Sequence, residues 1–330
     1  MSNNTIKQNS DFLFLYEAIM CNPNGDPDQE NRPRMDYDTN RNLVTDVRVK
    51  RNIREYLKQT GKQIFIDTES GEKVGMETRI ESVLQDLLQD SEYVKGILGT
   101  PELVADFEKL IGKSPVETLK KIRADKKGEI FIVLVDYLVR NVFQDIQWFG
   151  SALAIKGYPK NITGPIQLNW GYSLNEVFLM ESPTITSIMN DGNSTMGKDY
   201  RVKYSLLAFH GSINAHAARE THVREEDLDL FRTSIWEGTT ASPTRSKLNQ
   251  YPKLYLEVKY KPGVANGKLG DLRNLISTAP VAGKEPRQVL AFKDLELDIS
   301  PLQNAIEHLK ATEDCIEDVI FKYSPDLQLA

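Results

Sequence analysis

The apolar positions of the chain predict a mixture of strands and helices. The run FLFLYEAIM, Phe12 to Met20, is almost continuously apolar, which is typical of a buried strand. Leu254, Leu256 and Val258 alternate with other residues inside a predicted strand at 253–261. Two strands at 149–155 and 166–179 are predicted to pair around a loop at 157–164. A short hairpin is predicted over 63–74, with its turn at Ser70-Gly71. Two further strands are predicted near Leu295 and at 319–321.

The segment 76–145 is predicted to be mainly helical. Its helical pieces are expected at 76–90, 101–111, 114–124 and 129–145, and glycine and proline residues interrupt them. The apolar run Ile130 to Val135 is also compatible with a buried strand, because periodicity does not separate the two in a short run. Two more helices are predicted at 224–236 and 302–309.

A basic helix is predicted from Thr45 to Lys58. Thr45 is a favourable N-cap, and an apolar stripe at helical spacing is formed by Val49, Ile53, Tyr56 and Leu57. The cations fall on the remaining arc and are Arg48, Lys50, Arg51, Arg54 and Lys58. We therefore expect one face to pack on a sheet and the other to present five cations. A solvated charged face is the common alternative, but the preceding long loop favours phosphate binding.

A polar hairpin is predicted within 181–204. Asn190-Asp191-Gly192-Asn193 is a strong turn signal, and both arms are polar at most positions, so the hairpin should project from the body. The order strand, helix, strands, helix, strand, with insertions, predicts an α+β fold. A ferredoxin-like or RNA-recognition-motif core is the obvious candidate.

Composition sets the class of protein. The chain has 330 residues, 40% of them apolar, which allows a sizeable core. Only two cysteines are present, so neither a disulfide framework nor a cysteine-rich zinc site is expected. No early apolar run is long enough for a signal peptide or a membrane span, and we expect a cytoplasmic protein with no membrane partner.

The net charge of −6 is unevenly distributed. Residues 291–330 contain nine acidic and three basic residues, a balance of −6, whereas 41–58 has a balance of +4 and 243–289 has +6. Local patches set the field that a phosphate chain experiences, so the total does not exclude nucleic acid. The asymmetry also suits head-to-tail self-association, although an acidic solvated tail is the commoner explanation.

The loop CNPNGDPDQENRPRMD, residues 21–36, is long and polar, and three interpretations remain open. Asn22, Asn24, Asp26 and Asp28 alternate as oxygen donors, but the glutamate of a calcium loop is missing, so a metal site is not favoured. The loop is alternatively a rigid turn held by its own side chains. In the third interpretation, Gly25 lets the backbone approach a phosphate of RNA beside the basic helix.

Catalytic residues are not expected. His210, His216 and His222 are six residues apart and have no obvious nucleophile, so solvated or core-edge positions are favoured. No phosphate-binding glycine loop is present, and no metal or other cofactor is expected. If the chain were instead a ribonuclease, Asp26, Asp28 and His216 would be the candidates.

Three blocks of sequence carry a resemblance to a known family. They are NPNGDPDQENRPRMD followed by NLVTDVRVKRNIREYL, FQDIQWFGSALAIKGYPKNITGPIQLNWGYSLNEV (Phe143 to Val177), and HGSINAHAARETHVREEDLDLFRTSIWEGT. In this order they resemble the multi-copy "seven" subunit that forms the backbone of type I CRISPR Cascade complexes. Among the subtypes, they are most similar to subtype I-B. Gln147 stands where the family has arginine in Asp-x-Arg-x-Phe-Gly, which weakens any RNA role at that position.

The resemblance implies one elaborated domain, 1–330. A modified RNA-recognition-motif palm would comprise 11–60 and 146–330, a helical fingers insertion 61–145, and a β-hairpin thumb 181–204. The resemblance implies a non-catalytic protein whose copies polymerise head to tail along crRNA. The crRNA then pairs with a target DNA strand. Other Cascade partners would be the five-type and large subunits, and a guide-processing or target-cleaving ribonuclease of the same superfamily is the alternative.

The resemblance also implies a set of RNA-binding residues. In the basic helix they are Arg48, Lys50, Arg51 and Arg54, and in the loop Asn22, Asn24 and Gly25 would lie nearest the RNA. In the thumb, Met196 would wedge between bases while Lys198, Arg201 and Lys203 hold the backbone.

Overall fold

The computed structural model describes residues 5–69, 72–181, 184–187, 195–241 and 243–327, with 68–69, 72–73, 184–187 and 195–197 by their backbone alone. The helices are α1 Asp46–Gln59, α2 Met76–Leu87, α3 Ser91–Leu98, α4 Pro101–Leu110, α5 Pro115–Ala124, α6 Glu129–Asn141, α7 Gln144–Phe149, α8 Ala215–Thr221, α9 Glu225–Ala241 and α10 Ser300–Thr312. The strands are β1 Ser10–Cys21, β2 Gly25–Asp26, β3 Arg32–Pro33, β4 Met35–Asp36, β5 Arg41–Val44, β6 Thr68–Glu69, β7 Glu72–Lys73, β8 Gly150–Ile155, β9 Tyr158–Thr163, β10 Ile166–Leu168, β11 Gly171–Ser173, β12 Thr184–Ser187, β13 Thr195–Lys198, β14 Val202–Ile213, β15 Gln250–Tyr260, β16 Ser277–Pro280, β17 Leu295–Asp298 and β18 Ile316–Tyr323.

The chain divides into two compact units. The sheet unit comprises Lys7–Tyr56, Ile166–Ala215 and Glu226–Ala330, and the helical unit comprises Met1–Ile6, Leu57–Pro165 and His216–Glu225. No helix among the described residues is long and apolar enough to cross a membrane.

The sheet unit is built on one antiparallel sheet with the order β18-β15-β1-β14-β11-β5-β4, and β10 also pairs with β14. The central strand β1 confirms the strand predicted at Phe12 to Met20, and it is hydrogen-bonded on both sides. Phe14 faces Phe209 on β14 and Tyr255 on β15. A strand that is paired on both sides and covered on both faces is apolar at nearly every position, and the exception in the predicted run, Glu17, is buried in an ion pair with Lys253 at 2.8 Å.

Each face of this sheet is covered by a helix. On one face Leu13 and Leu15 belong to a core that includes Leu302 and Ile306 of α10. On the other face the ring of Phe12 packs edge-on against Phe231 of α9, with 5.5 Å between ring centroids. The helices predicted at 224–236 and 302–309 are confirmed and are longer than expected.

The helical unit contains α2 to α7 around its own core. The buried side chains of α6 include Phe131, Leu134 and Leu138, and they recur every three to four residues. The run Ile130 to Val135 is therefore helical, and the alternative of a buried strand is excluded. The sequence missed α3, and it joined α6 and α7, which the structure separates at residues 142–143.

The hairpin β8–β9 corrects a predicted pairing. Gly150–Ile155 pairs with Tyr158–Thr163, not with 166–179, and the pairing Ile155 to Tyr158 leaves only Lys156 and Gly157 in the turn. Gly157 has a φ of 86°, the left-handed conformation that such tight hairpins require. The predicted strand 166–179 is two short strands, β10 and β11, both paired with β14.

The polar hairpin is described in part. Its arms β12 and β13 are antiparallel, with Thr184 opposite Lys198. The predicted turn at 190–193 and the side chain of Met196 lie outside the described residues.

The acidic end forms ion pairs with the basic segment of the same chain. These pairs are Lys261 with Asp314 (2.7 Å), Lys268 with Glu313 (2.7 Å), Lys253 with Asp326 (2.5 Å), and Lys284 with Asp294. The charge asymmetry seen in the sequence is therefore partly balanced within the chain. The asymmetry does not by itself require contact between neighbouring copies, and head-to-tail association stays a prediction.

Candidate nucleic-acid interface

The loop after β1 is fastened to the start of α1 by one asparagine. Asn24 Oδ1 accepts hydrogen bonds from both the backbone N–H and the hydroxyl of Thr45, each at 2.9 Å. The Thr45 hydroxyl oxygen in turn accepts from the backbone N–H of Arg48 at 3.3 Å. Asn24 therefore positions the first turn of α1, and its amide oxygen is already occupied.

The remainder of the loop is held by its own side chains. Asn22 is buried and donates from Nδ2 to the carbonyl oxygen of Asn31 at 2.7 Å. A Cβ at Gly25 would lie 1.9 Å from Asn31 Oδ1, so glycine is needed there for loop packing. Of the three interpretations of this loop, the geometry favours the rigid turn.

The acidic residues of the loop are engaged in that turn as well. The Asp26 carboxylate pairs with Arg34 at 3.1 Å and accepts from the backbone N–H of Asp28 at 3.2 Å. Within the described part of the chain, no group of three or more His, Cys, Asp or Glu residues is arranged to hold a metal ion.

The cations of α1 fall into two sets, so the prediction of one five-cation face is wrong. Successive helical residues are about 100° apart, which places Lys50 roughly 200° from Arg48 around the axis. Lys50 pairs with Asp46 at 2.9 Å, and Arg54 is buried, with 9% of its surface exposed. Arg48 and Arg51, three residues apart, share the other side of the helix.

A cation from a distant part of the sequence joins Arg48 and Arg51. Together with Lys247 they line a cavity of 370 Å³, whose other lining residues are Asn52, Glu55 and Thr244. We call this cavity the cation pocket. Lys247 donates from Nζ to the backbone carbonyl of Asn22, so the loop also forms its border.

The cation pocket has an excess of positive charge. Glu55 Oε1 lies 3.9 Å from Arg51 Nε, but among the described residues neither Arg48 nor Lys247 forms an ion pair with a carboxylate. Burial, reinforced by Arg48 and Arg51, lowers the pKa of Lys247 to about 8. Burial also lowers the pKa of Arg48, whose Nε is buried without a hydrogen-bond partner. An anion bound here would relieve both the repulsion and the desolvation.

Arg201 and Lys203 differ in their surroundings within the protein. Arg201 donates from Nε and Nη2 to Asp199, at 3.0 and 2.8 Å, and from Nη1 to the carbonyl of Met20 at 2.9 Å. Most of its donors are thus used to join the base of the hairpin to the end of β1. Lys203 is half-buried on β14.

Lys198 lies in a small polar cluster at the base of the hairpin. It pairs with Glu30 at 2.9 Å, and the Tyr200 hydroxyl donates to the same carboxylate at 3.1 Å. These two hydrogen bonds are the main cause of the lowered pKa of Glu30. Arg32 stacks on the Tyr200 ring, with its guanidinium carbon 4.4 Å from the centroid. The loop and the hairpin base are therefore in direct contact.

The family motif around residue 145 has a structural role in the helical unit. The buried carboxylate of Asp145 accepts from the backbone N–H groups of Phe65 and Ile66, at 2.7 and 3.1 Å. Gln147 is buried too, and its Oε1 accepts from Gln144 Nε2 at 2.9 Å.

The three histidines are divided between the sheet unit and the helical unit. His210 is half-buried in the sheet unit, and burial lowers its pKa. His216 and His222 belong to the helical unit, and the pKa of His222 is lowered by burial and by Arg140. Asp26 and Asp28 belong to the sheet unit, so the ribonuclease candidates do not share one compact unit.

The fold and the cation pocket define a mixed α/β protein with a central antiparallel sheet and a candidate phosphate-binding surface. The family model for CRISPR-associated protein Cas7 matches residues 8–300, and the chain therefore belongs to the Cas7 family. The resemblance drawn from the sequence blocks is confirmed.

Two known proteins illustrate the similarity. CRISPR-associated protein Cas7 of Haloferax volcanii is 29% identical over 328 residues, covering 92% of this chain and 84% of that protein. A chain of a solved CRISPR RNA-guided surveillance complex, pre-nicking, has a TM-score of 0.55 at 13% identity, covering 98% of this chain and 94% of that one. The second comparison shows a shared fold.

Proposed function

We propose that this protein is a non-catalytic, guide-RNA-binding backbone subunit of a cytoplasmic CRISPR RNA-guided surveillance complex. The cation pocket carries the proposal, because Arg48, Arg51 and Lys247 gather positive charge that no carboxylate in the pocket fully balances. Membership of the Cas7 family and the fold shared with a chain of such a complex support it.

In this proposal the sheet unit contains the palm. The order β15-β1-β14-β11, with α1 after β1 and α9 before β15, is the arrangement expected of an RNA-recognition-motif core. The helical unit would supply the fingers, and the hairpin that contains β12 and β13 the thumb. Partners would be crRNA, the target DNA strand, further copies arranged head to tail, and the five-type and large Cascade subunits.

The contacts proposed here are to the RNA backbone. Phosphates are the part of RNA that is the same at every position, and a subunit repeated along a guide must bind regardless of sequence. We assign backbone contacts to Arg48, Arg51 and Lys247. Asn24 and Gly25 act by shaping the loop that borders the pocket. We assign no RNA contact to Lys50, which is paired with Asp46, or to Arg54, which is buried.

Replacing all three pocket cations tests the assignment. The variant Arg48→Gln/Arg51→Gln/Lys247→Gln should bind single-stranded RNA of any sequence more weakly. Each contact to a single strand releases about 0.7 counterion, so the slope of log K against log salt should flatten by about 2 and affinity should fall roughly 10- to 100-fold near physiological salt. Fluorescence anisotropy over a salt series measures both.

The matched control removes the same charge from the helical unit. Lys109→Gln/Lys121→Gln/Lys127→Gln alters surface lysines that are paired with Asp106 or Glu117. Its affinity and salt slope should stay at the parental values. Equal losses in the two triple variants would mean that only net charge matters, and the cation pocket would then not be the binding site.

A further inference from the structure

Met20, at the end of β1, has a backbone conformation that is unusual for its residue type. Its φ is 50°, in the left-handed region that side chains other than those of Gly, Asn and Asp rarely adopt. In the ladder with β14, Ile19 faces Tyr204 and Cys21 faces Val202, so Met20 is skipped. The Arg201 Nη1 donates to its carbonyl at 2.9 Å and holds it there. The side chain is 43% exposed.

Two more exposed apolar residues lie around Asn249, which is itself left-handed with a φ of 69°. The Asn249 carbonyl accepts from the N–H of Ile19, next to Met20, at 3.0 Å. Leu248, which precedes Asn249, is 54% exposed. Tyr251 is 43% exposed, and its hydroxyl donates to Asn249 Oδ1 at 3.3 Å.

These apolar residues are neighbours of the cation pocket along the chain. Lys247 of the pocket directly precedes Leu248 and donates to the carbonyl of Asn22, two residues beyond Met20. The Asn22 N–H in turn donates to the carbonyl of Ser246 at 2.8 Å. Exposed apolar side chains and the half-buried cation Lys247 therefore lie along the same two segments, 20–22 and 246–251.

We propose that Met20, Leu248 and Tyr251 form a platform on which one base of the bound RNA stacks, beside the phosphate held in the cation pocket. The proposal rests on the proposed function and adds a base contact to a site otherwise assigned to the backbone. The ligand class is a single-stranded nucleotide with its base unpaired. Stacking on flat or flexible apolar side chains accepts every base, as a repeated subunit requires.

The surface that the platform exposes matches the chemistry of a single-stranded nucleotide. A nucleotide joins an anion to an apolar ring face, and here cations adjoin exposed apolar surface. The left-handed backbone at Met20 is a conformation that methionine adopts at an energetic cost, and such strain is concentrated at ligand-binding sites.

The test compares two probes that differ only in their bases. Oligouridylate and a ribose-phosphate chain of equal length without bases both carry the phosphates, but only the first can stack. The variant is Met20→Asn/Leu248→Ser/Tyr251→Ser in the full chain, where asparagine tolerates the left-handed backbone. The matched control, Met76→Asn/Leu290→Ser/Tyr323→Ser, changes side chains of similar exposure: 44%, 51% and 52%.

We expect the variant to lose about tenfold in affinity for oligouridylate, as for the loss of one stacked base, with its salt slope unchanged. Its affinity for the base-free chain and both affinities of the control should match the parent. Met20→Gly, which relaxes the backbone, should show part of the same loss without any fall in melting temperature.

Two results would overturn the platform while leaving the proposed function intact. One is an equal loss for both probes, which would mean that these residues only shape the cation pocket. The other is an unchanged affinity for oligouridylate, which would leave the exposed apolar group for a protein neighbour. If the parent protein binds neither probe, the proposed function itself fails, and the inference fails with it.

Discussion

Lys247 shows how a single residue in the cation pocket can report on its ligand. Its pKa of about 8 lies well below the ordinary lysine value of 10.5, because burial and two neighbouring arginines disfavour the charge. Below pH 8 the folded state therefore carries the full cost of the buried charge. Between about 8 and 10.5 the unfolded chain binds more protons than the folded one, so this residue's contribution to stability improves as pH rises.

RNA binding should depend on pH in the opposite sense. A phosphate beside Lys247 favours the protonated ammonium, so affinity should fall as the pH passes 8. Between pH 7 and pH 9 the loss attributable to one such group is about tenfold. Oligocytidylate is a suitable probe, because its bases stay uncharged between pH 7 and pH 9.

The matched variant for the pH test is Lys247→Arg, which remains charged throughout. It should bind RNA with an affinity that is nearly constant from pH 7 to pH 9. If the parent and this variant show the same pH profile, the titrating group lies elsewhere and Lys247 does not contact phosphate.

Sequence reasoning reached Arg48 and Arg51 but not their third partner. Lys247 is almost two hundred positions away, and only the excess of positive charge across 243–289 indicated that this region mattered. Helical geometry alone separates Lys50 and Arg54 from Arg48. Asp46 lies four residues before Lys50, which is the spacing of an ion pair on a helix.

At the scale of elements, the loop of residues 21–36 acts as a brace for α1. Its side-chain hydrogen bonds place the first turn of the helix and one border of the cation pocket. Asn24 is the central residue, because removing its oxygen would leave the N–H and hydroxyl of Thr45 without their acceptor.

Asn24→Ala should therefore lower the free energy of unfolding by about 1–3 kcal/mol, the usual effect of orphaning partly buried hydrogen-bonding groups. Amide hydrogen exchange should accelerate in the loop and in the first turn of α1. Asn161→Ala, an exposed asparagine in β9, should change neither. A fully stable Asn24→Ala protein that nevertheless loses RNA affinity would show that Asn24 touches RNA directly and is not a brace.

The elements that the sequence predicted well are those with a long, regular pattern, such as β1, α1 and α9. The errors occurred where short polar strands have no buried face of their own. In β9, YPKNIT, most positions are exposed, so no alternation distinguishes it from a loop. Its pairing with β8 depends on the conformation of Gly157, which a sequence permits without specifying.

At the scale of the whole molecule, the chain combines a sheet unit that carries the cation pocket with a helical unit drawn from one long insertion and short outlying segments. Charge totals alone do not indicate contacts between copies, because part of the acidic end is paired with the basic segment of its own chain. The cation pocket is a local site where positive charge is not fully balanced. The proposed function therefore requires RNA to bind at that pocket rather than at any other basic surface.

Crosslinking of bound RNA tests this claim most directly. The full chain is mixed with single-stranded RNA containing 4-thiouridine, irradiated, digested and analysed by mass spectrometry for peptides that carry a nucleotide. We expect adducts in residues 16–24 and 244–251, with fewer in the Arg48→Gln/Arg51→Gln/Lys247→Gln variant. Adducts confined to α2–α6 of the helical unit, equally abundant in the parent and that variant, would contradict the claim.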